Sequence, residues 1–223
     1  MSNEIPPEAF SEIINELQRR PLYVNQYRKV SGSGRSQCFG LVNRRCMPPD
    51  HSRNNWTRPY LYKLLIEFGE KYVSIPWTSI TVNQNYQANK HLDRGNIGDS
   101  FLVAFGNYTG GELVLYEGEE KQLIDICNKP VVNNFSKVWH SVEPFSGNRF
   151  SLVYYTLNPK GLDISQVPKG SVIFESGKWL FKRGDEIIRE GLDHPLRGRK
   201  HTKKQEDTPQ LLIERKEIII DLN

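Results

Sequence analysis

The chain has 223 residues, a formal net charge of +4, 37% hydrophobic residues and 25% charged residues. That length suits one large domain, or one domain with an appendage, and is enough to bury a sizeable core. No run approaches the ~18 apolar residues that cross a membrane, and the mild positive charge tolerates a nucleic-acid partner without requiring one.

Met1-Ser2-Asn3-Glu4-Ile5-Pro6-Pro7 lacks the charged start and apolar stretch of a secretory signal. The expectation is an intracellular protein, in cytoplasm or nucleus, and not a secreted one. Cys38, Cys46 and Cys127 are odd in number and show no CxxC spacing, which fits free thiols in a reducing compartment. Cys38 and Cys46 with His51 match no common zinc spacing.

Pro6-Pro7-Glu8 opens a predicted helix through Arg19, because proline and an acid suit a first turn and Phe10, Ile13, Ile14 and Leu17 recur at helical spacing. From Val30 to Asp50 the chain is rich in Gly, Ser, Arg and Pro and reads as a long loop. Its basic residues (Lys29, Arg35, Arg44 and Arg45, with Arg53 just beyond) suit phosphate contacts. A second helix is expected from Pro59 to Tyr72, with Leu61, Leu64, Leu65 and Phe68 on one side.

From Ser79 the pattern changes to short strands: Ile80–Val82, Phe101–Phe105, Glu112–Tyr116, Gln122–Ile124, Pro130–Val132 and Phe150–Thr156. Gly, Asn and Glu-rich turns separate them, which suggests a sandwich or barrel. The predicted class is α+β, a jelly roll with N-terminal helices packed on one sheet. Residues 1–78 read as a helical and loop layer of the same domain, 79–159 as the jelly-roll core, and 160–223 as an extension. In that extension a hairpin is expected around Phe174–Ile188, then a basic stretch from His194 to Lys204 and a last strand at Glu217–Asp221.

One constellation carries chemistry. His91 and Asp93 are two residues apart, so both side chains of an extended segment face one way. His140 has to come from another strand. Two imidazoles and a carboxylate form the facial triad of non-haem Fe(II) oxygenases, which leaves coordination positions open for substrate and O₂. On the last core strand Arg149, Ser151, Val153 and Tyr155 share one face, and Phe150, Leu152 and Tyr154 share the other. An arginine directed into a barrel is costly unless it meets an anion. Its planar fork suits a carboxylate, and Ser151 can add a third hydrogen bond.

His-x-Asp, a later His and an Arg-x-Ser strand resemble the Fe(II)/2-oxoglutarate-dependent dioxygenases. The resemblance covers roughly residues 79–157. It implies a double-stranded β-helix, Fe(II) on His91, Asp93 and His140, and 2-oxoglutarate held at its distal carboxylate by Arg149 and Ser151. It also implies use of O₂ to hydroxylate a C–H group.

Three stretches are similar to the TET/JBP group, which oxidises methylated bases. They are His91-Leu92-Asp93-Arg94-Gly95-Asn96, Arg149-Phe150-Ser151-Leu152-Val153-Tyr154-Tyr155, and Phe105-Gly106-Asn107-Tyr108-Thr109-Gly110-Gly111-Glu112-Leu113-Val114-Leu115. The TGG-x-L part of the third also occurs in prolyl-hydroxylase-like members. The likeness implies a DNA partner, hydroxylation of the 5-methyl group of 5-methylcytosine or thymine, and a flipped base met by Asn96 and Tyr155. One departure is plain: animal members carry a base-contacting His just after this Tyr, where Thr156 and Leu157 stand here. A protein (prolyl-type) or small-molecule hydroxylase would use the same iron site. The complete triad with Arg149 argues against a silent nucleic-acid-binding module with a relic core.

Overall fold

A computed structural model describes residues 4–24, 32–44 and 47–158, and the backbone of three strands between residues 172 and 190. The first helical pattern begins as a 3-10 turn, Pro7–Phe10, and continues as α1, Ser11–Arg19. Proline in that turn forfeits no intrahelical bond, because the first N–H groups of a helix have no partner anyway. α2 is a single turn, Asn54–Thr57, and α3 spans Pro59–Tyr72 as its periodicity predicts.

The strands are β1 (Gly32–Arg44), β2 (Met47–His51), β3 (Ser79–Ala88), β4 (Asn96–Gly110), β5 (Leu113–Glu117), β6 (Glu120–Ile124), β7 (Val131–Asn133), β8 (Trp139–Val142) and β9 (Phe145–Leu157). They form a six-stranded sheet, order β2-β1-β3-β9-β4-β7, and a three-stranded sheet, order β6-β5-β8. All pairings are antiparallel. Two stacked antiparallel sheets with helices on the outer face of the larger one make the expected jelly roll on a helical layer.

Two hydrophobic clusters separate the layers. Phe10, Ile13 and Leu17 of the N-terminal segment and Leu61, Leu65 and Phe68 of α3 meet Val103, Phe105, Phe150, Leu152 and Tyr154 of the large sheet. Leu102, Ala104, Leu113, Leu115, Ile126 and Phe135 fill the space between the sheets. Arg58 ties the helical layer to β1 from a buried position: it donates to Gln37 Oε1 at 3.1 Å and to the Arg20 carbonyl, and Glu16 lies 3.7 Å away.

The expected loop from Val30 to Asp50 is the main correction. Its described part forms β1 and β2, and β1 pairs with β3 from Gly32↔Ala88 to Gly40↔Ser79. Glycine there marks a close approach rather than a loop. Gly34 has φ +126°, and any Cβ on it would collide with the Asn85 carbonyl at the bulge where the register shifts. Of the basic residues in this stretch, Arg35 donates to the Leu22 carbonyl at 2.6 Å.

β10 (Val172–Glu175), β11 (Lys178–Arg183) and β12 (Glu186–Glu190) form a separate antiparallel sheet in which the backbones of Arg183 and Glu186 pair in register. The expected hairpin is present, with one strand more than anticipated. The basic stretch 194–204 and the strand at 217–221 lie outside the described residues. Among the described residues no helix is long and apolar enough to cross a membrane.

Candidate iron and anion site

β3 ends at Ala88, and the chain then crosses toward the small sheet. There His91 forms an isolated bridge with His140 of β8: His91 N–H donates to His140 O at 2.9 Å, and His140 N–H to His91 O at 3.1 Å. Asp93 N–H donates to Phe135 O at 2.9 Å. Three main-chain bonds therefore bring together side chains that lie far apart in sequence. One ligand atom from each of His91, Asp93 and His140 lies within 4.8 Å of the others. His91 Nε2 is 3.4 Å from Asp93 Oδ1, and His140 Nε2 is 4.0 Å from Asp93 Oδ2.

The rings are oriented from behind. His91 Nδ1 is 2.6 Å from the Asn89 carbonyl, and His140 Nδ1 is 3.1 Å from the Val138 carbonyl. With Nδ1–H donating to a carbonyl, each Nε2 presents its lone pair toward the carboxylate. Burial, reinforced by the neighbouring His91, holds His140 below its ordinary pKa and so favours the neutral imidazole. Lone pairs converging on a carboxylate ask for a cation, and two imidazoles with one carboxylate suit Fe(II).

The triad opens into a cavity of ≈ 810 Å³ between the sheets, and all seven residues singled out in the sequence line it: His91, Asp93, Asn96, His140, Arg149, Ser151 and Tyr155. Phe150, Leu152 and Tyr154 point the other way, into the helix-facing cluster. The two-residue alternation of β9 thus divides its side chains between cavity and core.

Arg149 is only 2% exposed, and its Nε and Nη2 have no hydrogen-bond partner. Its guanidinium carbon lies 5.4 Å from the Tyr108 ring centroid and 5.5 Å from that of Phe145. Burial lowers its pKa, and Tyr108 opposes that shift. An arginine stays protonated regardless, so the cavity floor carries a desolvated cation with two open donors. Ser151 Oγ accepts from Asn83 Nδ2 at 3.1 Å, which leaves its O–H proton to donate. A carboxylate fits this arrangement.

Several supports have no counterpart in the sequence reading. Asn85 adopts φ +49°, where asparagine is tolerated, and its Oδ1 accepts from Arg149 N–H at 2.8 Å. Gly111 has φ +75°, and a Cβ there would sit 2.9 Å from Arg149 Nε. Tyr108 and Gly111 belong to the Phe105–Leu115 stretch, which crosses from β4 in the large sheet to β5 in the small one; the motif signalled them without a role. Asn85 gave no signal, because its role depends on the β3–β9 register.

Asn96 opens β4 after a turn in which its N–H donates to Asp93 O at 2.9 Å. Its Nδ2 lies 3.4 Å from Asp93 Oδ2 and 3.3 Å from Ser100 Oγ. Tyr155 is buried on the same cavity wall.

No protein-family model matches the chain, and no curated protein matches it. Among solved structures it is similar to NgTET1 in complex with 5mC DNA, at 18% identity and a TM-score of 0.48, covering 72% of this chain and 71% of that one. A Pseudomonas putida prolyl-4-hydroxylase gives 14% identity and 0.45, with 71% and 91% covered. A 2OG-Fe(II) oxygenase family oxidoreductase from Burkholderia pseudomallei gives 19% and 0.44, with 65% and 75% covered.

Proposed function

We propose that the chain is an Fe(II)/2-oxoglutarate-dependent dioxygenase that hydroxylates the 5-methyl group of a pyrimidine in DNA. One observation carries the enzymatic part: a facial His-Asp-His set and a buried arginine with two unmet donors line the same cavity. His91, Asp93 and His140 would hold Fe(II), which together with 2-oxoglutarate supplies O₂ activation.

The chain's own residues do the rest. Arg149 binds the distal carboxylate of 2-oxoglutarate through charge-assisted donors, and Ser151 adds a hydroxyl. Tyr108 and Phe145 flank the guanidinium, and Gly111 leaves room for it. Leu102, Leu113 and Val153 line the same cavity and give it apolar wall between its polar groups. At the other end Tyr155 offers an aromatic face and Asn96 an amide, the two kinds of group a flipped base needs. The His-x-Asp-x-x-Asn and Arg-x-Ser-Leu-Val-Tyr-Tyr stretches support the pyrimidine part.

The test is nucleoside mass spectrometry after incubating the iron-loaded protein, 2-oxoglutarate and duplexes carrying 5-methylcytosine or thymine. Hydroxymethylated base should appear together with succinate, and Asp93→Ala should abolish both. Succinate production that never yields an oxidised base would remove the DNA assignment in favour of a protein or small-molecule substrate. Undiminished succinate from Asp93→Ala would remove the iron assignment.

A further inference from the structure

β3 and β9 run in register from Ser79↔Tyr155 to Gln84↔Phe150, and Thr81, Val153, Asn83 and Ser151 of that ladder all line the cavity. One step further, the next cross-strand pair would be Asn85 and Arg149. An extended residue at position 85 would set its side chain beside that of the arginine, on the cavity face. Asn85 does otherwise. Its φ is +49°, and its Oδ1 accepts from Arg149 N–H at 2.8 Å. Asparagine is among the few residues that enter this left-handed region at low cost.

The strand on the other side of β3 accommodates the turn. The β1–β3 register shifts between Ser33 and Arg35, and the residue within the shift is Gly34. A Cβ on Gly34 would collide with the Asn85 carbonyl and with Tyr86 Cα. The Asn85 main chain therefore packs against β1, and its side chain is what reaches β9. On the far side of β9, Gly106 lies opposite Arg149 with φ +117°. Arg149 thus sits where both neighbouring strands leave extended geometry, and a side chain takes up its main-chain N–H just past the end of the β3–β9 ladder.

We infer, resting on the 2-oxoglutarate reading above, that Asn85 is a positioning residue for the co-substrate. It acts through Arg149 and touches no ligand itself. Holding the Arg149 N–H fixes the point from which the guanidinium projects. Turning the amide away from the cavity row leaves the space beside the guanidinium open. Tyr108 and Phe145 already flank that group, so little further ordering is needed when a carboxylate arrives. Asn85 is itself exposed. If it served only the surface turn, glycine in its place would change nothing; positioning predicts a loss confined to the distal carboxylate.

Calorimetric titration of the iron-loaded protein without O₂ compares 2-oxoglutarate with 2-oxopentanoate, which keeps the 2-oxo acid end and the chain length but lacks the distal carboxylate. The ratio of the two Kd values reports the Arg149 contact. Asn85→Gly keeps the backbone turn and loses the acceptor. It should lower the preference for 2-oxoglutarate about 10-fold, the scale on which residues behind a ligand-binding group act, and leave the affinity for 2-oxopentanoate unchanged. Asn85→Ala also loses the acceptor but strains the turn, so it should lower the preference equally and melt below the glycine variant. An intact preference in either variant overturns the inference. So does a fall in affinity shared by both ligands, which marks general damage to the cavity. In an Arg149→Met background Asn85→Gly should have no further effect on the preference, and an additional loss there also overturns it. 2-Oxopentanoate bound by the unmutated protein as tightly as 2-oxoglutarate overturns the 2-oxoglutarate reading itself, and so is distinct from a failure of Asn85 to position Arg149.

Discussion

The two faces of β9 follow opposite rules. Toward the helices, Phe150, Leu152 and Tyr154 are close-packed, and the one polar group among them is satisfied: Tyr154 donates its phenolic hydrogen to the Leu65 carbonyl at 2.6 Å. Toward the small sheet, Arg149, Ser151 and Tyr155 surround empty volume, and Arg149 keeps two buried donors without partners. Burying a cation unpaired is unfavourable to folding. The first face stabilises the protein and the second leaves a buried cation with unmet donors, within one strand and one residue of each other.

That contrast can be broken on either side. Leu152→Ala leaves a cavity beneath a side chain with no exposure and should destabilise by about 2–5 kcal/mol. Denaturant unfolding should report that loss while the 2-oxoglutarate requirement of the folded fraction stays as it was. Arg149→Met should do the reverse. It removes a charge-assisted double contact worth about 2–5 kcal/mol in buried settings, so the 2-oxoglutarate requirement rises steeply. The ligand-free protein, relieved of an unpaired buried charge, should melt no lower than the unmutated chain. A large drop in its melting temperature would mean that the arginine serves packing and not an anion.

The smallest effect is expected away from both faces. Asp125 is held below its ordinary pKa chiefly by its hydrogen bond from Lys129, at 2.6 Å. A depressed folded-state pKa gives stability that is present above the unfolded value, ~4, and is lost as pH falls through the folded value. Both side chains are more than half exposed, so solvent and salt screen most of it. Asp125→Asn should flatten the acid limb of a melting-temperature profile slightly, and added salt should erase the difference.

The sequence was most legible where one local rule decides the outcome. The alternation of β9 gave its two faces, the helical spacing of Leu61, Leu65 and Phe68 gave α3, and His91, Asp93, His140 and Arg149 stood out because their side-chain chemistry suits few other purposes. β1 was illegible. Its glycines, serines and arginines have loop composition, and they become a strand because β3 offers a paired edge whose bulge admits only glycine at position 34. Asn85 was invisible for the same reason, since its task exists only once β3 and β9 are in register.

Taken alone, the sequence determined which atoms were available to do chemistry: two imidazoles, two carboxylate oxygens, a guanidinium and an amide. The tertiary structure decided how each is turned. Carbonyls behind the histidines fix their tautomers, burial leaves Arg149 with unmet donors, and Asp93 and Ser100 meet the Asn96 amide nitrogen. Which hydrogen-bonding sites remain open depends on partners distant in the chain, and local composition carries no record of them.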